Sequence, residues 1–162
     1  MSSSKPRASD TDPAIAQLLR YLSSGVKTVS DAAGFLARRG MSGPEIAEAI
    51  RVCQRRGLLN DAASAQLWAD HWARQGYARA AIARKLHDKG LDDARRTEAL
   101  DRLDREQTDR DRARQLAVTA RGHAAHPQVR VRVARRLAAR GFDAELITQV
   151  ITELLGPPDA EL

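Results

Sequence analysis

Lys85-Leu-His-Asp-Lys-Gly-Leu-Asp92 is one of three related stretches in this chain. The other two are Phe35-Leu-Ala-Arg-Arg-Gly-Met-Ser42 and Arg136-Leu-Ala-Ala-Arg-Gly-Phe-Asp143. Their glycines, Gly40, Gly90 and Gly141, are spaced 50 and 51 residues apart. A near-constant interval of this length is the signature of a tandem helical repeat. Each glycine suits the position just past a helix C-terminus, where a positive φ is least costly without a Cβ. The next residue is apolar (Met41, Leu91, Phe142), and Ser42, Asp92 and Asp143 then fall at the N-cap of a following helix. Ser42 with Glu45 predicts a capping box, and Met41–Ile46 and Phe142–Ile147 predict hydrophobic staples. Arg96 occupies the staple position of the middle copy, so that joint is expected to be looser.

Outward from the glycines, apolar residues recur at helical spacing. Before them stand Ala32, Ala33, Leu36; Ile82, Ala83, Leu86; and Val133, Ala134, Leu137. After them stand Ala49, Ile50, Cys53; Ala99, Leu100, Leu103; and Val150, Ile151, Leu154. Each set marks one buried stripe. A further helix precedes each pair. The first begins at Asp12-Pro13 and runs to about Ser24, the second follows Gly57-Leu-Leu-Asn-Asp61 and runs to about Arg74, and the third runs from about Thr108 to Arg121. The charged tract Asp101–Arg114 blurs that last start and could extend the helix before it. Helix eight is expected to start at His126-Pro127, and Gly156-Pro157-Pro158 to end helix nine. The fold class is therefore all-α: three tandem three-helix repeats, nine helices, in an elongated, curved array. The expected divisions are a flexible segment 1–12, modules 13–57, 58–107 and 108–156, and a loose tail 157–162. One such module has too little apolar surface for a firm core, so neighbours must support one another.

Composition agrees and excludes several classes. The 162 residues include 29 Ala and 23 Arg, with aromatics at 4%, which favours helix over sheet. Charged residues make up 30%, the net charge is +6 and the pI is about 10.2, a balance that favours an acidic partner: nucleic acid, an anionic membrane or an acidic protein. Cys53 is the single cysteine, so no internal disulfide forms. No apolar run reaches the ~18 residues of a membrane span, and Met1–Asp12 lacks the core of a secretory signal. A cytoplasmic protein with no membrane association is expected.

With those residues in view, the chain resembles the RecX family over roughly Ile15–Leu155. The most specific part is Gly57-Leu-Leu-Asn-Asp61 followed by Ala65, then Arg74, Gly76, Arg79, Ile82, Leu86 and Lys89-Gly90-Leu91. These residues are similar to the family's central block, G-l-l-n-D-x-x-f-A … r-x-x-G-x-x-r-i … L-x-x-K-G-i. Ser64 stands where that block has an aromatic, Gln75 is a second departure, and both bear on the packing of helix four. The resemblance implies a partner, the RecA recombinase. RecX-like proteins lodge in the groove of its filament on DNA and suppress strand exchange, ATP hydrolysis and coprotease action. An elongated basic array suits such a groove, because linked contacts to several subunits raise avidity.

The repeat also aligns basic residues. Arg84, Lys85 and Lys89 match Arg135, Arg136 and Arg140, and Arg79 matches Arg130. Helices five and eight can thus present paired cations to phosphate or to acidic loops of RecA, although ordinary solvated helix faces would carry the same residues. Lys85 and Lys89 share a face beside the apolar stripe, Arg84 points to solvent, and Arg79 is placed to lie in an interhelical groove. Trp68 and Trp72, one helical turn apart, read as core, as do Tyr21, Tyr77, Phe35 and Phe142. His123 and His126 have no third ligand pattern, so no metal is expected. Asp92, Asp93, Asp101, Asp104, Asp109 and Asp111 all have Arg neighbours and read as surface ion pairs. There is no phosphate loop, nucleophile elbow or HExxH motif. Neither catalysis, a cofactor nor a small-molecule substrate is expected. The rival function is direct binding of single- or double-stranded DNA, with the chain serving as an adaptor.

Overall fold

The computed structural model describes residues 12–122 and 128–157. Among them nine helices follow one another: α1 (Pro13–Leu22), α2 (Val29–Arg38), α3 (Gly43–Arg55), α4 (Asp61–Arg74), α5 (Arg79–Asp88), α6 (Asp93–Glu106), α7 (Asp109–Arg121), α8 (Gln128–Ala139) and α9 (Ala144–Leu155). No strand occurs among the described residues. The main helix contacts fall within α1–α3, within α4–α6 and within α7–α9. Each trio has its own core, built on Leu18, Leu36 and Cys53, on Ile82, Leu86 and Leu103, and on Val133, Leu137 and Val150. Ala78 is the exception, since it precedes α5 but packs into the third core.

The three glycines turn the chain as the sequence predicts, with φ of 78°, 75° and 88° at Gly40, Gly90 and Gly141. Each closes a paired set of backbone bonds. At Gly90, its N–H donates to the His87 carbonyl at 2.8 Å and Leu91 N–H to the Leu86 carbonyl at 3.4 Å. In this arrangement the residue after the glycine packs back on its own helix. That is why the middle joint is not loose, as Arg96 had suggested. Leu91 is 2% exposed, deeper than Phe142 at 6%, and Arg96 folds over to donate to the Leu91 carbonyl at 3.2 Å.

Helix starts follow from side-chain caps. Asp92 and Asp143 accept from Arg95 and Leu146 N–H groups at 2.9 and 2.8 Å. Ser42 works differently: its hydroxyl donates to Glu45, which also accepts the Ser42 N–H at 2.7 Å. α1 ends at Leu22, two residues before the expected Ser24, and the Ser23 and Ser24 hydroxyls donate to the freed carbonyls of Arg20 and Tyr21. The charged tract does not form one long helix. Thr108 and Asp111 form a reciprocal cap that starts α7 and separates it from α6. The expected start of helix eight at His126-Pro127, the His123–His126 pair, the 1–11 segment and most of the tail lie outside the described residues.

The modules are joined by a repeated device. At the first joint, Asp61 of α4 accepts the Val29 N–H of α2 at 2.8 Å, and the buried Thr28 hydroxyl donates to the Lys89 carbonyl at 2.9 Å. At the second, Asp109 of α7 accepts the Arg79 N–H of α5 at 2.7 Å, and Ala78 N–H donates to the Arg140 carbonyl at 3.0 Å. Ala78 has no hydroxyl, so its backbone makes the bond that Thr28 makes with its side chain.

Candidate functional site

Of the eight aligned cations, two serve the fold. Arg79 bridges Asp101 at 2.9 Å and Asp104 on α6. Burial works against its charge, but the hydrogen bonds and charges of those carboxylates outweigh it and hold its pKa above the ordinary arginine value. Arg130 donates to the Leu155 and Gly156 carbonyls and so caps α9. Arg84, Arg135 and Arg136 are exposed and engage no described carboxylate.

The remaining three, Lys85, Lys89 and Arg140, lie against aromatic rings. Arg140 is 4.5 Å from the centre of the Tyr77 ring. Lys85 is 4.5 Å from the same ring and 5.6 Å from Trp72. Trp72 stacks on Trp68 with ring centres 5.2 Å apart, and Lys89 lies 4.4 Å from Trp68. Lys89 also reaches Asp31 of the first module at 4.0 Å. A cation–aromatic ladder therefore runs from Arg140 of the third module along the second, and Lys89 ends it in an ion pair with Asp31 of the first. The rings hold the ammonium and guanidinium groups by their quadrupoles without neutralising them.

The aromatics all belong to or pack against the cores, but not to the same depth. Trp72 and Phe142 are buried, but Trp68, Tyr77, Tyr21 and Phe35 are only half-buried. Tyr21 stacks on Phe35 at 4.1 Å and has Lys27 4.8 Å from its ring. Burial and the Asp31 charge push its hydroxyl pKa up. The helical spacing of the two tryptophans does not distinguish a core from a wall, because the neighbouring module decides how much of Trp68 is covered. Between Trp68 and Tyr21 lies a cleft of about 450 Å³, also lined by Lys27, Arg74 and Lys89. The Trp68 indole N–H has no acceptor among the described residues. A second cleft, about 470 Å³, shares Arg74 and includes Arg136 at the joint to the third module.

Sequence reasoning also missed Arg112. It is 1% exposed and donates to Asp104, Asp109 and the Gln107 carbonyl. Asp104 and Asp109 are accordingly not surface ion pairs, since they are partly buried against Arg112. Among the described residues no group of three or more potential metal ligands occurs, and no helix is long and apolar enough to cross a membrane.

A serial array of three-helix modules with cations braced along the line of joints is a helical-repeat protein of the kind that presents an extended surface. No family model matches the chain. Whole-chain relatives do. "Regulatory protein RecX" of Mycobacterium avium is 32% identical over 161 residues, covering 93% of this chain and 92% of the relative. The protein of that name from Streptomyces lividans is 34% identical over 157 residues, covering 93% and 82%. The crystal structure of RecX from Lactobacillus salivarius superposes with a TM-score of 0.72 at 22% identity, over 91% of this chain and 98% of that one. The chain belongs to the RecX family of regulatory proteins.

Proposed function

We propose that this protein is a non-enzymatic regulator of the RecA recombinase, which binds RecA and its filament on single-stranded DNA. It restrains strand exchange, ATP hydrolysis and coprotease action, and so acts in DNA repair and the SOS response in the cytoplasm. Family membership along more than nine-tenths of the chain carries this reading. The ladder from Lys89 to Arg140 supports it, because cations spread over two modules suit a partner with acidic features spaced along a filament. Direct nucleic-acid binding with an adaptor role is the second reading, favoured by the exposed Arg84, Arg135 and Arg136.

A pull-down separates the two. The purified protein is mixed with RecA filaments on single-stranded DNA, or with the same DNA alone, at roughly 50 and 200 mM salt. The expected result is retention on filaments at both salts. Retention on naked DNA should fall by about 10³ or more if many phosphates are neutralised. Equal retention on naked DNA and filaments would favour the second reading. Replacing Lys85, Lys89 and Arg140 together by Ala should raise the dose for half-inhibition of strand exchange by about tenfold or more, with helicity retained. Undiminished inhibition would remove the ladder from the mechanism.

A further inference from the structure

We propose that the cleft between the first and second modules docks an extended acidic segment of a partner protein that carries a large aliphatic or aromatic anchor residue. The cleft walls supply both halves of that recognition. Leu67 of α4 and Val26 of the α1–α2 loop line it and are 53% and 37% exposed. Around them stand Lys27, Arg74 and Lys89, with Asp31 the one carboxylate in the lining. Asp31 accepts the Thr28 N–H at 3.0 Å and pairs with Lys89 at 4.0 Å, which leaves Lys27 and Arg74 as the excess positive charge. The cleft is therefore net cationic with two exposed aliphatic side chains in its lining, which is complementary to an apolar side chain flanked by carboxylates.

The same observations weigh against a nucleobase. The two large rings at the cleft are already engaged, Trp68 by Trp72, His71 and Lys89, Tyr21 by Phe35 and Lys27. Base recognition without sequence preference needs a presented aromatic face, whereas the most exposed apolar side chains of this lining are the aliphatic Leu67 and Val26. The inference does not depend on RecA as the partner, and its test contains no RecA.

The test uses the full chain and fluorescence anisotropy at about 0.15 M salt. Three fluorescein-labelled peptides are compared: a Leu-Phe pair between runs of Asp and Glu, the same with Ser-Ser at the centre, and the same Leu-Phe pair between runs of Lys. A labelled oligo-dT is the fourth probe. The acidic Leu-Phe peptide should bind about tenfold or more tighter than either peptide control. Leu67→Glu and Val26→Glu, both at exposed positions, should each weaken it by about tenfold or more with helicity unchanged. Arg51→Ala, on α3 beside Glu48, should leave it unchanged. The inference is overturned by equal binding of the Ser-Ser peptide, by binding that survives both cleft variants, by oligo-dT binding that is lost in those variants, or by no binding of the acidic Leu-Phe peptide.

Discussion

At Gly90 two constraints meet on one residue. Its φ of 75° disfavours any side chain, and a Cβ there would overlap the Ser30 side chain of the preceding module. Gly141 repeats the situation, with an added Cβ 2.8 Å from Ala81 Cβ. Gly40 shares the turn, at φ 78°, but a Cβ there meets nothing within 4 Å among the described residues. Gly40→Ala should therefore cost only the left-handed backbone, about 1 kcal/mol. Gly90→Ala should cost that plus overpacking, about 2–4 kcal/mol together. Urea titration followed by far-UV circular dichroism measures both, and equal losses would show that the joint yields freely. The turn is legible in the sequence, since a glycine between a helical stripe and a capping residue has few other uses. The close approach is not legible, because it depends on which element the next module brings to that glycine. Trp68 has the same limit: its spacing places it on the packed face of α4, and only the joint determines that it walls a cleft.

At the scale of the element, α4 and α7 start alike and then diverge. Asp61 and Asp109 open them and make the same bond to the previous module. Three residues on, Ser64 donates from its buried hydroxyl to the Lys27 carbonyl at 2.9 Å, where α7 places the buried Arg112. Ser64, the departure from the family's aromatic, thus packs α4 by a neutral hydrogen bond to the first module. Arg112 packs α7 by charge to Asp104 of the second. Superposing Asp61-Ala-Ala-Ser-Ala65 on Asp109-Arg-Asp-Arg-Ala113 is the signal that would have exposed Arg112, yet polarity at that position reads as surface until the joint is seen. The caps are also titratable. The Ser42 N–H lowers the Glu45 pKa, the Arg95 N–H lowers that of Asp92, and the Thr108 hydroxyl lowers that of Asp111. A depressed folded-state pKa gives stability that is complete above the unfolded value, about 4, and is lost as pH falls through the folded value. Helicity should accordingly fall on acidification below about pH 4. Asp111→Asn should be less stable at neutral pH and show a shallower acid loss. An acid profile identical to that of the unchanged protein would exclude Asp111 from the effect.

Across the whole molecule, three nearly separate cores are linked by joints of a few bonds each, so stability is a property of modules and interfaces taken in series. The ladder crosses the same joints, with Lys89 reaching Asp31 at the first and Arg140 reaching Tyr77 at the second. That line of side chains is therefore continuous only while the modules stay docked. Thr28 is the most exacting test of this coupling. It is fully buried, accepts the Asp31 N–H at 3.0 Å and donates to the Lys89 carbonyl at 2.9 Å. Thr28→Val keeps the shape and removes both bonds, leaving a donor and an acceptor unpaired at a cost of about 1–3 kcal/mol. If the modules respond in series, native-state hydrogen exchange should speed up about tenfold or more in the core amides of α1–α3. The increase should be smaller in α4–α6, and α7–α9 should be unchanged, because the second joint keeps all its bonds. Equal acceleration in all nine helices would mean that the array opens as one unit, and the ladder could then not be loosened at one joint while it holds at the other.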